Sequence, residues 1–152
     1  MAAALFMGLA SACLDTGEPT ANMPSNPATE TFAASLGVNI SQMTKKSDAL
    51  YIQDLVVGTG AEAINGKTLQ MTYTGWLVNG TKFDSNVGGA TLPFVLGEPG
   101  IIAGWNLGIL GMRVGGKRRL VIGSDLAYGP SGRGIIGPNS TLVFDVVLVS
   151  LQ

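Results

Sequence analysis

Polar and apolar residues alternate along Lys67–Trp76. Leu69, Met71 and Tyr73 fall on one side, and Thr68, Gln70, Thr72 and Thr74 on the other. A period of two predicts a half-buried strand. Thr141–Leu151 repeats the pattern, with Leu142, Phe144, Val146 and Leu148 sharing a face. Shorter runs at Leu50–Val57, Thr81–Asp84, Leu92–Leu96 and Lys117–Ile122 read as further strands. Asn79-Gly80 supplies a hairpin turn ahead of the Thr81 strand. One stretch breaks the period: Ile101, Ile102, Trp105, Ile109 and Met112 recur at spacings of three and four, which predicts a single short helix. Gly108 and Gly111 lie inside it and each lowers helix propensity by about 1 kcal/mol relative to alanine. Packing, not propensity, must therefore hold that helix. The sum is an α+β domain over residues 48–152, a five- to six-stranded antiparallel β-sheet curled around one short α-helix.

The chain before Asp48 follows no such period. Residues 1–12 (MAAALFMGLASA) are apolar and small, too short to span a bilayer as a helix, which needs about 20 apolar residues. They read as the apolar part of a secretory signal that lacks the usual initial positive charge. Leu9-Ala10-Ser11-Ala12 before Cys13 resembles a bacterial lipoprotein processing site, with the leucine displaced by one position. Residues 1–13 are thus read as a signal or lipoprotein segment, with plain secretion and a cytoplasmic protein as the alternatives. Residues 14–47, with Pro19, Pro24 and Pro27 among small polar residues, read as a flexible linker. Phe32, Leu36, Val38 and Ile40 either dock on the domain or are scattered apolar residues in that linker, and the linker reading is the one preferred.

Composition narrows the chemistry. The 152 residues include no histidine and one cysteine. That excludes His-based triads, Cys-His nucleophiles, internal disulfides and His- or thiolate-cluster metal sites. Nine basic and ten acidic side chains leave a net charge of -1, which offers no electrostatic case for nucleic acid. The 22 glycines, most of them after Gly58, suit a domain of tight turns. Gly60–Thr68 approaches a phosphate-binding loop, but has one residue too many between its glycines and leads into a strand where the motif requires a helix. Arg113, Lys117, Arg118 and Arg119 form the basic cluster, read as a solvated strand face.

The informative constellation is aromatic. Tyr73, Phe83, Trp105, Tyr128 and Phe144 come from five different elements, and Asp84 follows Phe83 directly. Either these are simply core, or they line a shallow cleft in which two phenols and an acid wait for partners. Residue chemistry alone stops at that choice.

The stretches Tyr73-Thr-Gly-Trp-Leu, Gly80-Thr-Lys-Phe83-Asp84-Ser85, Ile101-Ile102-Ala-Gly-Trp105, Ala127-Tyr128-Gly129 and Thr141-Leu-Val-Phe144-Asp145 resemble the FKBP-type peptidyl-prolyl cis-trans isomerases, in order and in spacing, from Leu50 to Gln152. The resemblance implies a cleft between the helix and the concave sheet face. It makes Trp105 the floor under the substrate proline, and Tyr73, Phe83, Ile101, Ile102 and Phe144 the walls. Asp84, Tyr128, Ile102 and Phe83 would act on the rotating amide. Tyr73, Leu92, Ile101, Trp105, Ile135, Ile136 and Phe144 would bind the substrate. The implied partners are proline-containing polypeptides and macrolides such as rapamycin, with no cofactor, no metal and no nucleic acid. Contact with membrane would come only through a lipid on Cys13, and the chain is expected to be a monomer that assists folding in the bacterial cell envelope. A proline-segment-binding chaperone with little turnover is the alternative.

Such a reaction needs no nucleophile. Amide resonance sets a rotation barrier of about 18–20 kcal/mol. Resonance places opposite charges on oxygen and nitrogen, so a dry aromatic cleft disfavours the planar amide relative to the twisted one. Each 1.36 kcal/mol of that preference is worth about tenfold in rate. Three places depart from the family pattern. Leu92 stands where many members are aromatic. The Asn86–Thr91 loop lacks the arginine many members carry there. The Pro130–Pro138 loop is slightly short.

Overall fold

The computed structural model describes residues 23–152. Cys13, and with it the signal-segment and lipidation readings, lies outside the described residues.

Among the described residues the sheet has seven strands: β1 (Thr44–Ser47), β2 (Leu50–Val56), β3 (Thr68–Leu77), β4 (Lys82–Ser85), β5 (Leu92–Val95), β6 (Lys117–Ile122) and β7 (Leu142–Leu151). The order is β1-β2-β6-β7-β3-β4, and β5 pairs with the first half of β3. Every pairing is antiparallel. The strand beyond the expected five or six is β1, which comes from the supposed linker. The sheet curls around α1 (Ala103–Ile109). This helix is shorter than its periodicity suggests: Ile102 is its extended N-cap, and Ile101 precedes it. Trp105, Ile109 and Met112 are buried against Leu50, Leu120, Ile122, Leu142 and Leu148 of the concave sheet face.

The helix glycines have a packing reason. A Cβ on Gly104 would come 2.4 Å from Ile122 Cγ2, and one on Gly108 would come 2.8 Å from Leu120 Cδ2. Missing side chains let α1 lie close to β6, and this contact offsets the poor propensity. Arg118 closes the other end of the helix. It donates to the carbonyls of Gly108 (2.8 Å) and Leu110 (3.3 Å), two of the C-terminal acceptors a helix leaves open. The same guanidinium grips Asp54 through both oxygens, at 2.6 and 3.1 Å. Arg119 similarly grips Asp145, at 2.7 and 2.9 Å. The basic cluster is only in part the solvated face its sequence suggested: Arg113 stays exposed and Lys117 partly exposed, whereas Arg118 is buried and Arg119 nearly so.

Residues 24–47 differ from the expected tether. Phe32, Leu36, Val38, Ile40 and Met43 pack on Tyr51, Trp76, Val121 and Val143. The sheet register explains why. Tyr51 lies opposite Val121, Val121 opposite Val143, and Val143 opposite Trp76, so one apolar row crosses β2, β6, β7 and β3 on the convex face. Left bare, such a row is a contiguous exposed apolar patch. The strap covers it. Polar bonds pin the strap along its length: Ser25 and Ser124 exchange reciprocal hydrogen bonds (2.9 and 2.8 Å), Thr141 donates to Glu30 (2.9 Å), Ala33 N–H donates to the Val78 carbonyl (2.8 Å), and Arg119 donates to the Leu36 carbonyl (2.6 Å). The strap lacks a period because it is built of single 3-10 turns. Asn26 and Asn39 cap two of them, accepting from Ala28 and Ser41 N–H.

Candidate active site

The site begins with a glycine in β3. A Cβ on Gly75 would lie 2.6 Å from Phe83 Cζ and 2.7 Å from Phe144 Cε1. Its absence lets rings from β4 and β7 close over the strand. Phe83 and Phe144 then meet edge-to-face at 5.5 Å. Phe144 meets Trp105 edge-to-face at 5.4 Å, and Trp105 meets Tyr73 the same way at 5.1 Å. These are favoured aromatic geometries, and they fix four rings from α1, β3, β4 and β7 as one unit.

Trp105 is 2% exposed and forms the floor. A deep cavity of about 60 Å³ lies above it, lined by Tyr73, Phe83, Leu92, Ile101, Tyr128 and Phe144, with Ile102 and Asp84 completing its wall. It opens into an outer hollow of about 520 Å³ that shares Tyr73, Phe83, Asp84, Leu92 and Tyr128 and adds Ile135 and Ile136. All eleven residues marked from the sequence, Cys13 apart, thus line one continuous cleft. Ile136 is buried, whereas Ile135 is 64% exposed at the rim.

The polar side chains at this cleft are Asp84, the phenols of Tyr73 and Tyr128, and Arg133 at the outer rim. The Tyr73 hydroxyl donates to Asp84 Oδ2 at 2.6 Å. Burial, then this hydrogen bond and the negative charge of Asp84, push the Tyr73 hydroxyl up to about 12, with a smaller contribution from Tyr128. Tyr73 is accordingly a donor at any physiological pH. The indole N–H of Trp105 is buried and has no acceptor among the described residues. The Ile102 N–H and the Tyr128 hydroxyl likewise meet no protein acceptor among the described residues. An aromatic hollow with free donors along one side suits an extended peptide whose carbonyls need partners.

Two residues escaped the sequence reading. Asn86 stands in the loop that lacks the arginine. Its Oδ1 accepts from Tyr73 N–H (2.7 Å), and its Nδ2 donates to the carbonyls of Met71 (3.0 Å) and Ala90 (3.1 Å). One amide therefore ties the loop after Asp84 to the strand that carries Tyr73. The signal was slight: an Asn two residues past Asp84, ahead of Gly88-Gly89. Phe94 packs on Trp105 at 5.9 Å. Its alternation with Leu92 along β5 places both on one face, and that signal was available.

The comparisons with known proteins agree with this geometry. Residues 60–149 match the family model described as FKBP-type peptidyl-prolyl cis-trans isomerase. The chain belongs to that family. An FK506-binding protein of Neisseria meningitidis serogroup A is 47% identical over 105 residues, covering 68% of this chain and 96% of the relative. FK506-binding protein 4 of Rhizopus delemar is 46% identical over 112 residues, 73% of this chain but only 29% of that protein. The chain therefore spans less than a third of the longer relatives and nearly all of the Neisseria one. Among solved structures, AtFKBP13 superposes with a TM-score of 0.68 at 37% identity, covering 73% of this chain and 99% of that one. FkpA from Escherichia coli gives 0.68 at 36% identity, over 78% of this chain and 55% of FkpA. Within this FKBP-type family, the antiparallel sheet around one short helix is the shared fold.

Proposed function

We propose that this chain accelerates rotation about Xaa-Pro bonds of polypeptides in the cell envelope, held there through a lipid on Cys13. The observation that carries the activity is the Trp105 floor, walled by Tyr73, Phe83 and Phe144 and flanked by free donors at Ile102 and Tyr128. The proline ring packs on the indole. The Ile102 N–H and the Tyr128 hydroxyl donate to the flanking carbonyls. Asp84, oriented by Tyr73, sits at the cleft edge beside the rotating amide. Dry walls weaken the charge-separated planar form, so the twisted form is the better bound. A macrolide such as rapamycin fills the same hollow. The unit acts as a monomer.

The test is isomerisation of a short Xaa-Pro peptide series by the chain from Met23 onward, with and without rapamycin. Catalysis that the macrolide blocks supports the reading. A folded protein without catalysis that still suppresses client aggregation would leave the binding module instead. Cys13→Ser in the full chain is expected to release it from membranes, and unchanged fractionation would remove the tether.

A further inference from the structure

The loop after Tyr128 carries a charge that the mechanism above does not use. Arg133 and Ile136 exchange two backbone hydrogen bonds, at 2.8 and 2.9 Å, which close that loop into a tight turn and fix where the Arg133 side chain departs. The guanidinium carbon stands 5.6 Å from the centre of the Tyr128 ring, within cation–π range. The ring therefore holds the charge at the cleft mouth while leaving its donors free.

Arg113, Arg118 and Arg119 each pair with a carboxylate, whereas Arg133 has no ion-pair partner among the described residues. Its position is singular in another way. With Tyr128 it borders both the outer hollow of the cleft and a second hollow of about 430 Å³ on the far side of Tyr128, beside Ile101 and Ile102. A peptide whose proline rests on Trp105 and whose carbonyls reach Ile102 and Tyr128 must pass this guanidinium. The carboxylate bordering these hollows is Asp84, and it already accepts from Tyr73. A net charge of -1 gives no general attraction for acidic chains, so any preference must be local.

We propose that Arg133 is a specificity-determining residue that selects proline segments bearing a carboxylate side chain next to the proline. This rests on the isomerase reading of the cleft. The pair would be solvent-exposed, so its effect is modest, a preference of roughly threefold, and it fades with added salt.

The test uses peptides that differ only as Glu against Gln, placed in turn before and after the proline. The readout is the Glu-to-Gln ratio of kcat/KM within each protein, so that general losses cancel. The ratio is expected near three at low salt for the unaltered protein, near one for Arg133→Gln, and below one for Arg133→Glu. The position with the larger ratio identifies which flank faces Arg133. A ratio of one in the unaltered protein at both positions, or one untouched by Arg133→Glu, overturns the proposal. Should no peptide be turned over, the isomerase reading fails on its own. Tryptophan-fluorescence titration with the same peptides then decides the charge preference: tighter Glu-peptide binding that Arg133→Glu reverses sustains it, and equal Kd values overturn it.

Discussion

Leu36→Ala tests whether the amino-terminal strap is part of the folded unit. Leu36 is 7% exposed, and it sits over the apolar row formed by Tyr51, Val121 and Val143. The substitution removes about three carbons, worth roughly 2.4 kcal/mol at about 0.8 kcal/mol per buried CH₂. A cavity cost would add to this in a rigid core, where Leu→Ala costs about 2–5 kcal/mol. The strap is a single chain thick and can settle inward, so the expected loss is about 2–3 kcal/mol. Urea unfolding has a slope of about 1–3 kcal/mol/M for small proteins. The midpoint should therefore fall by roughly 1–2 M with the slope unchanged. Leu55→Ala, at a position 40% exposed, is the control and should stay within about 0.5 kcal/mol. Limited proteolysis of the same variants should show faster cleavage between Phe32 and Ile40 only for Leu36→Ala. If the Leu36→Ala midpoint moves no more than the control, the strap contributes nothing and residues 24–47 behave as the tether the sequence suggested.

Tyr73→Phe removes the 2.6 Å bond to Asp84 but keeps the ring against Trp105; hydrogen bonds to charged groups contribute about 1.5–3 kcal/mol to stability, and at the low end of that range, for a bond open to solvent, the urea midpoint should fall by about 1 M while kcat/KM on an Xaa-Pro peptide falls about tenfold as Asp84 loses its orienting partner. The phenolate absorbance that Tyr73→Phe deletes should titrate near pH 12, and a midpoint at the ordinary 10 would contradict the half-buried, Asp84-bound hydroxyl. Because the folded-state value is raised, the stability this hydroxyl contributes is fully present below pH 10 and disappears between 10 and 12. Gly104→Ala gains about 1 kcal/mol of helix propensity, but places a Cβ 2.4 Å from Ile122 Cγ2. Overpacking costs about 1–3 kcal/mol, so thermal unfolding should show net destabilisation, and a stabilised variant would mean that α1 is free to move off β6.

How far the sequence could be read depends on which interactions are periodic. Strands β3 and β7 were legible because each buries one alternating set against the helix, and period two survives in the letters. The aromatic site was legible because Tyr73, Phe83, Trp105, Tyr128 and Phe144 sit in recognisable short motifs. Helix α1 was overextended because Ile101, Ile102 and Met112 share its apolar character while lying outside it: Ile101 and Ile102 line the cleft, and Met112 packs in the core beyond Leu110. Leu142-Val143-Phe144 should have raised a question. An unbroken apolar run in a strand means that both faces are covered, and Val143 is fully buried on the face opposite the helix. The cover is the strap, whose apolar residues fall at irregular intervals because 3-10 turns and extended links separate them. Arg118 and Arg119 looked like a solvated face because their partners, Asp54 and Asp145, are distant in sequence and adjacent only through strand register.

The strap also bears on the site. Ser25 exchanges hydrogen bonds with Ser124, at the start of the segment that leads to Tyr128. Glu30 accepts from Thr141, where that segment ends and β7 begins. Tyr128, Arg133, Ile135 and Ile136 all lie between these two points. The span is poor in regular structure; two 3-10 turns, the Arg133–Ile136 bridge and the Asn139 N–H bond to the Gly129 carbonyl (2.9 Å) tie it internally, and the strap bonds anchor its two ends. The opposite cleft wall is held differently, by Asn86 tying the Asp84 loop to β3. A reaction that depends on fitting a twisted amide to within fractions of an ångström needs both walls at a fixed separation. One wall is tied down by a single half-buried amide, that of Asn86. The other is closed by its own backbone bonds and anchored at both ends by a piece of chain that packs on the far side of the sheet.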